Sequence, residues 1–312
     1  PMGTVLGDDD LPDPSSILEQ MPEPKQEKII FHKSPAGMEN AKMPLPIPGK
    51  GRAFAEEAAV QFFGETTKRL PVANFRKVME ALVEGQADYG VLPIENSSAG
   101  NVESNYDLLS EYDVTIVGEQ IIEVNQAVMA LPGARMEDIK TVYSHPQGLM
   151  QCSHFLEQTL WHQVSMVNTA VSARKVRDDQ DITQAAIASA RAARLYGLSI
   201  LNPIGNNNKN NATRFIILHK EKMFESCANK IGITFGLPHK SGSLYRILGS
   251  FDKHALNMTM IESRPIPGKQ WEYYFYLEFI GNLKEEPVQE ALSEIAKSSI
   301  ELRILGNYHT KL

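Results

Sequence analysis

Five consecutive residues, Asn211-Ala212-Thr213-Arg214-Phe215, place an amide, a hydroxyl and a guanidinium at the mouth of the apolar run 215–218. A hydroxyl can deliver a proton, a guanidinium can clamp a carboxylate, and a strand would hold both rigid. Taken alone, Thr213 reads as an ordinary β-branched strand residue and Arg214 as an exposed charge, because so short a motif specifies little. Other polar groups gather in the same way at the ends of apolar runs: Glu95-Asn96-Ser97-Ser98 with Gly100, Ser144 ahead of a segment bearing Gln151, and Asn168-Thr169. Together they offer amides, hydroxyls and helix N-termini, with neither a His/Cys metal spacing nor a nucleophile–base pair. Such a set suits a small anion whose carboxylates rest on helix N-termini and on Arg214. The chemistry it favours is orientation plus one proton donor, without covalent or metal catalysis. His145 reads as structural, and the aromatic run Tyr273-Tyr274-Phe275-Tyr276 as a sheet face.

The elements that must hold these groups alternate between helix and strand. Phe54, Ala58, Ala59 and Phe62 share one helical face that stops at Gly64, and Asn74 caps a helix with Phe75, Val78, Met79, Leu82 and Val83 inward. Strands are predicted at 87–94, 114–124, 141–143 and 164–167. A helix opens with Pro146 in its first turn and turns Leu149, Cys152 and Leu156 to the core, and Asn168-Thr169 caps another. The alanine-rich stretch 185–196 reads as a helix closed by Gly197. This is α/β alternation, in which ligands bind where strands run out into loops at a switch in strand order. After Lys220 the pattern becomes strand 231–237, a helix from Gly242, strands 258–262 and 271–279, helix 288–295 and strand 300–305. That βαββαβ order is a ferredoxin-like unit with its own core. The domain boundary falls near 221–229. Residues 1–28 are acidic and proline-rich and read as a disordered leader or linker, followed by a short first strand at 28–31.

At 312 residues and 42 % hydrophobic, the chain can build two domains with full cores. A net charge of −7 without a long basic run argues against a nucleic-acid partner. No apolar run is long enough for a membrane span, and the acidic N-terminus is unlike a secretory signal. The two cysteines, Cys152 and Cys227, lack metal-type spacing and fit a reducing compartment, read as the cytoplasm.

Several motifs in series resemble those of the prephenate dehydratases. They are Pro93-Ile94-Glu95-Asn96-Ser97 with Gly100, Ser144-His145-Pro146-Gln147 with Gln151-Cys152, Ala185-Ala186-Ile187-Ala188-Ser189, Tyr196-Gly197-Leu198 and Asn211-Ala212-Thr213-Arg214-Phe215. The segments Gly242-Ser243-Leu244-Tyr245 and Glu262-Ser263-Arg264-Pro265 resemble the phenylalanine-sensing ACT domain of that family. The likeness covers about residues 53–308. It implies a two-lobed, periplasmic-binding-protein-like dehydratase domain over 29–221 and an ACT regulatory domain over 230–312. Prephenate would lie between the lobes and lose water and carbon dioxide to give phenylpyruvate, without a cofactor or metal.

By that resemblance Thr213 is the proton donor to the departing ring hydroxyl, with Asn96, Gln151, Glu95 and Ser144 as the other catalytic positions. Ser97, Thr169, Arg214 and Phe215 would bind substrate, with Arg214 a carboxylate clamp or a lobe anchor. Gly242, Ser243, Leu244, Tyr245, Glu262, Ser263, Arg264 and Pro265 would bind L-phenylalanine, giving feedback through a homodimer or homotetramer paired by its ACT units. Arogenate is the alternative substrate, and residues 1–28 read alternatively as the tail of a linker from a chorismate mutase domain. The first loop, Gly51-Arg52-Ala53-Phe54, carries Arg52 where the family has glycine, which motivates a second alternative, a catalytically silent amino-acid sensor.

Overall fold

The computed structural model describes residues 45–48, 52–64, 67, 69–202, 207, 211–223, 227–266 and 268–310. The readings on 1–28, on the strand at 28–31 and on Gly51 lie outside the described residues.

In chain order the first lobe contains β1 (Leu45–Pro48), α1 (Arg52–Phe63), β2 (Arg69–Val72), α2 (Phe75–Val83), β3 (Tyr89–Asn96), β4 (Gly100–Asn101), α3 (Glu103–Glu111) and β5 (Thr115–Glu123). The second holds β6 (Gln126–Ala130), β7 (Thr141–Ser144), α4 (Pro146–Gln151), α5 (Ser153–Leu156), β8 (His162–Ser165), α6 (Thr169–Asp179), β9 (Gln184–Ser189), α7 (Ala190–Tyr196) and β10 (Ser199–Asn202). The chain then returns as β11 (Ala212–His219), which inserts between β3 and β5 in the order β4-β3-β11-β5. The second lobe is a five-stranded sheet, β10-β6-β9-β7-β8. Because the chain passes between the lobes twice, the two crossings lie side by side, and the Val124 amide donates to the Asn211 carbonyl at 2.8 Å.

Local sequence accounts for most boundaries. The Asn74 side chain accepts from the Lys77 amide at 3.0 Å and starts α2, whose Val78, Met79 and Leu82 are buried. Asn168 starts α6 in the same way. The stretch 184–196 departs from the helix expected there: its first half is β9, between β6 and β7, and only its second half is helical. Ala185, Ala186, Ile187 and Ala188 are all fully buried, so a central sheet position overrides the helix propensity of alanine. β6 and α3 were not anticipated either.

The last unit runs β12 (Lys230–Gly236), α8 (Ser243–Lys253), β13 (Met258–Pro265), β14 (Tyr273–Ile280), α9 (Glu286–Ser298) and β15 (Ile300–Tyr308). Its sheet is antiparallel in the order β13-β14-β12-β15, the ferredoxin-like arrangement expected from the βαββαβ pattern. One face makes a core with both helices through Ile231, Ile233, Phe235, Ile247, Phe251 and Leu292. The opposite face sends Tyr276, Leu305 and Tyr308 into a core shared with Leu92, Ile94, Tyr106, Ile116 and Ile216 of the first lobe. The approach is close: a Cβ on Gly306 would stand 2.1 Å from the Ile116 carbonyl oxygen. The unit therefore has its own core and is also welded to the first lobe.

Alternation along β11 decides what lies on each side of that lobe. Phe215 and Ile217 pack with Ala55, Ala58, Ala59 and Phe63 of α1, whereas Ile216 and Leu218 face the third sheet and α2.

Candidate active site

A cavity of about 450 Å³ opens between the lobes where the strand ends meet. The first lobe contributes Asn96, Gly100, Asn101, Thr213 and Phe215, and the second Gln126, His145, Gln147, Gln151, Asn168 and Thr169. Five of the predicted site residues are thus brought together: Thr213, Asn96, Gln151, Thr169 and Phe215. Among the described residues lining it there is no Asp, Glu, Lys or Arg. A carboxylate here would meet amide N–H groups and the N-terminus of α6.

Thr213 and Asn96 are partners in the β11–β3 register. The Asn96 amide nitrogen donates to Thr213 Oγ1 at 2.9 Å, to Asn211 Oδ1 at 2.9 Å and to the Ala212 carbonyl at 3.1 Å. Its Oδ1 accepts from the Ser98 and Ala99 amides at 3.0 and 2.8 Å, so the side chain is fixed from both ends. Since Asn96 can only donate to Thr213, the hydroxyl proton of Thr213 is left for another acceptor. A donated hydrogen bond also eases the build-up of negative charge on that oxygen as its proton leaves.

Gln126 is a site residue that the sequence reading missed. It opens β6 at the lobe crossing, is 4 % exposed, and its Oε1 has no hydrogen-bond partner. The available signal was a glutamine heading the wholly apolar run 127–131, just after the strand predicted at 114–124.

Other expected site residues stand elsewhere. Ser144 is fully buried and donates from Oγ to the Ile187 carbonyl at 2.7 Å, tying β7 to β9 beneath the cleft. Above it Gly148 has no side chain, and a Cβ there would lie 2.6 Å from Ser144 Oγ. Ser97 is exposed; its amide donates to the Ala212 carbonyl and its Oγ accepts from the Ala212 amide, both at 2.9 Å, so it pins the loop after β3 to β11.

Arg214 does not face the cleft. Following Thr213 on a strand, it points to the other side of the sheet, where it pairs with carboxylates of the first lobe and the third unit and does not line the cleft as the expected carboxylate clamp would. Its Nη1 donates to both oxygens of Glu278 at 2.9 Å and to Glu119 Oε2 at 3.2 Å, and its Nε to Glu95 Oε2 at 3.2 Å. Glu95 is occupied by this pairing and is likewise absent from the lining. Lys230 Nζ lies 2.9 Å from Glu119 and 3.5 Å from Glu278. Burial alone would raise the Glu119 carboxyl, but Lys230, the Thr310 hydroxyl and Arg214 outweigh it and hold it below the usual range. For Arg214 burial opposes the charge, and Glu278, Tyr308 and Glu119 together more than restore it.

The segments expected to bind phenylalanine lie on the third unit. Gly242 caps α8 in a left-handed conformation, Ser243 is buried and Tyr245 is exposed. Glu262 accepts from the cleft residue Asn101 at 2.6 Å, and Arg264 makes a two-pronged contact with Asp107 of α3 at 2.9 and 3.0 Å. Ser263 and Pro265 lie on β13 with them, paired to Phe275 and Tyr273 of β14; Leu244 packs against the third unit's own core.

Residues 47–223 match the family model described as prephenate dehydratase. That span holds every lining residue of the cleft and more than half of the chain. The chain belongs to the prephenate dehydratase family. A bifunctional chorismate mutase/prephenate dehydratase of Aquifex aeolicus is 34 % identical over 268 residues, covering 86 % of this chain and 74 % of that protein. The arogenate dehydratase/prephenate dehydratase 1 of Arabidopsis thaliana is 33 % identical over 307 residues, covering 93 % of this chain and 77 % of its own length. A crystal structure of prephenate dehydratase in complex with L-Phe from Arthrobacter aurescens superposes with a TM-score of 0.78 at 28 % identity, covering 86 % of this chain and 90 % of that one. In this member of the prephenate dehydratase family the third unit lies beyond the matched span. No helix among the described residues is long and apolar enough to cross a membrane.

Proposed function

We propose that this chain converts prephenate to phenylpyruvate, with Thr213 as the proton donor. The observation that carries the reading is the Asn96–Thr213 pair, set at a cleft of about 450 Å³ inside the family's matched span. In the reaction the Thr213 hydroxyl gives its proton to the departing ring hydroxyl, which leaves as water. The ring carboxylate departs as carbon dioxide, and its bonding electron pair completes the aromatic ring. Thr213 regains a proton from solvent, so one proton is consumed overall. Aromatisation supplies the driving force; the protein's part is to orient the substrate and supply the proton. Gln151 and Gln126 orient it through their amides, Phe215 closes the apolar side, and the N-terminus of α6 at Thr169 receives a carboxylate.

In this reading 29–221 is the catalytic domain and 230–312 an ACT regulatory domain. Phenylalanine binds at Gly242, Ser243, Leu244, Tyr245, Glu262, Ser263, Arg264 and Pro265, in a homodimer or homotetramer paired through those units. Arogenate is a second reading, favoured by the Arabidopsis relative whose name carries both substrates. The test is phenylpyruvate and phenylalanine formation by the purified chain supplied with prephenate or arogenate, each with and without added phenylalanine. A folded protein that yields neither product refutes the reading.

A further inference from the structure

We infer that Glu278, a residue of the third unit remote from the cleft, is a positioning residue for Thr213 and acts through the Arg214 guanidinium. The inference rests on the proton-donor reading of Thr213.

Thr213 and Arg214 are consecutive on β11 and point to opposite faces, so the backbone that aims one is fixed by whatever grips the other. The β3 ladder is interrupted at this point. Its register slips between Arg214 and Phe215, passing from Glu95 to Pro93, whereas β5 pairs in unbroken register from Ala212 to Ile217. Such a bulge lets the strand re-aim a side chain on its β3 side, and a further constraint on that aim comes from the far face. Arg214 is 11 % exposed in its side chain and donates from Nη1 to both Glu278 oxygens at 2.9 Å, whereas its contacts with Glu95 and Glu119 are longer, at 3.2 Å.

Glu278 is itself held in place. It is 4 % exposed, faces Lys230 at 3.5 Å, and accepts from the Tyr308 hydroxyl at 3.4 Å. Lys230 also meets Glu119, which accepts in addition from the Thr310 hydroxyl. Two buried cations thus face two buried carboxylates, with the half-exposed Glu95 at the rim. Three of the polymer's segments in this network, β12, β14 and the end of β15, belong to the third unit. A network of this kind is costly to leave half-satisfied, and for that reason it fixes one geometry. Productive proton transfer needs its donor placed to about 0.5 Å, and a misplacement near 1 Å costs on the order of 10²-fold in rate.

The test uses the full chain, comparing the parent with Glu278→Gln and with the double variant Glu278→Gln/Lys230→Met. The double variant removes one charge of each sign and keeps the buried set neutral. Circular dichroism and thermal melts establish folding, and prephenate turnover is resolved into kcat and KM. The expected result is a kcat about tenfold or more below the parent in both variants, with KM within about twofold. Parental kcat in a folded variant of either kind, or a loss confined to KM, overturns the inference and leaves Glu278 a brace between domains. An inactive parent would instead refute the dehydratase reading, so the two failures are distinguishable.

Discussion

If Asn96 serves chiefly to keep the Thr213 proton aimed at substrate, then removing the proton and misdirecting it should have the same effect. Thr213→Val deletes the hydroxyl with almost no change in volume, and general acid catalysis is worth about 10²–10⁴ in rate, so kcat should fall by roughly 10³. Asn96→Asp replaces the amide donor, 2.9 Å from Thr213 Oγ1, with a carboxylate acceptor. The Thr213 proton then turns toward the carboxylate in a charge-assisted bond and away from the cleft, with a loss of about 10²–10³. The aspartate still accepts from the Ser98 and Ala99 amides. The Ala212 carbonyl keeps its Ser97 donor, so only Asn211 Oδ1 is stripped of its partner, costing about 1–3 kcal/mol of stability. The assay is phenylpyruvate formation at saturating prephenate, with urea melts to confirm folding. Independent effects would multiply to about 10⁵–10⁶ in the double variant, whereas one shared function leaves it near 10³. A multiplicative loss would refute the argument that Asn96 acts through Thr213.

Ser144→Ala should cost about 1–2 kcal/mol in a urea melt through the lost bond to Ile187 while leaving kcat within about twofold; a loss of tenfold or more would return Ser144 to the catalytic set. Gly306→Ala forces a methyl against the Ile116 carbonyl and should destabilise by about 2–3 kcal/mol, read as a lower melting temperature; an unchanged melt would contradict so close a packing of the third sheet on the first lobe. Burial pushes the Cys152 thiol up to about 11, so iodoacetamide at pH 8 should label the exposed Cys227 in the native protein and reach Cys152 only after unfolding, as mass spectrometry would show. The folded-state value of Glu119 is depressed, so its contribution is fully present above the ordinary carboxylate value of 4.5 and is lost as the pH falls below that; urea stability should decline in that acid range, and less steeply in Glu119→Gln.

The parts of this molecule written in local sequence were legible. Asn74 and Asn168 cap helices as their spacing indicates, and the alternation after residue 230 yields the ferredoxin-like order. The segment 184–189 was not, because nothing local distinguishes alanines that start a helix from alanines chosen to let a central strand be covered closely on both faces. At the site, residues at the ends of strands and helices facing the cleft could be named from their motifs: Asn96, Gln151, Thr169 and Thr213 all line it. Gln126 was passed over because a lone glutamine before an apolar run carries no motif.

Arg214 shows where the limit lies. Strand alternation, available from sequence, already requires Arg214 and Thr213 to face opposite sides of β11, so the two cannot both serve one cleft from that strand. What sequence does not supply is what the far face meets. Its partner Glu278 comes 64 residues later, on a sheet whose docking depends on Gly306 and on apolar side chains that read equally well as the unit's private core. A guanidinium beside a proton donor suggests a substrate clamp when the other face is imagined as solvent. Once that face is a second buried sheet, the same residue is a tether between domains, and in the proposed reaction the substrate's carboxylates would be bound by amides and the N-terminus of α6.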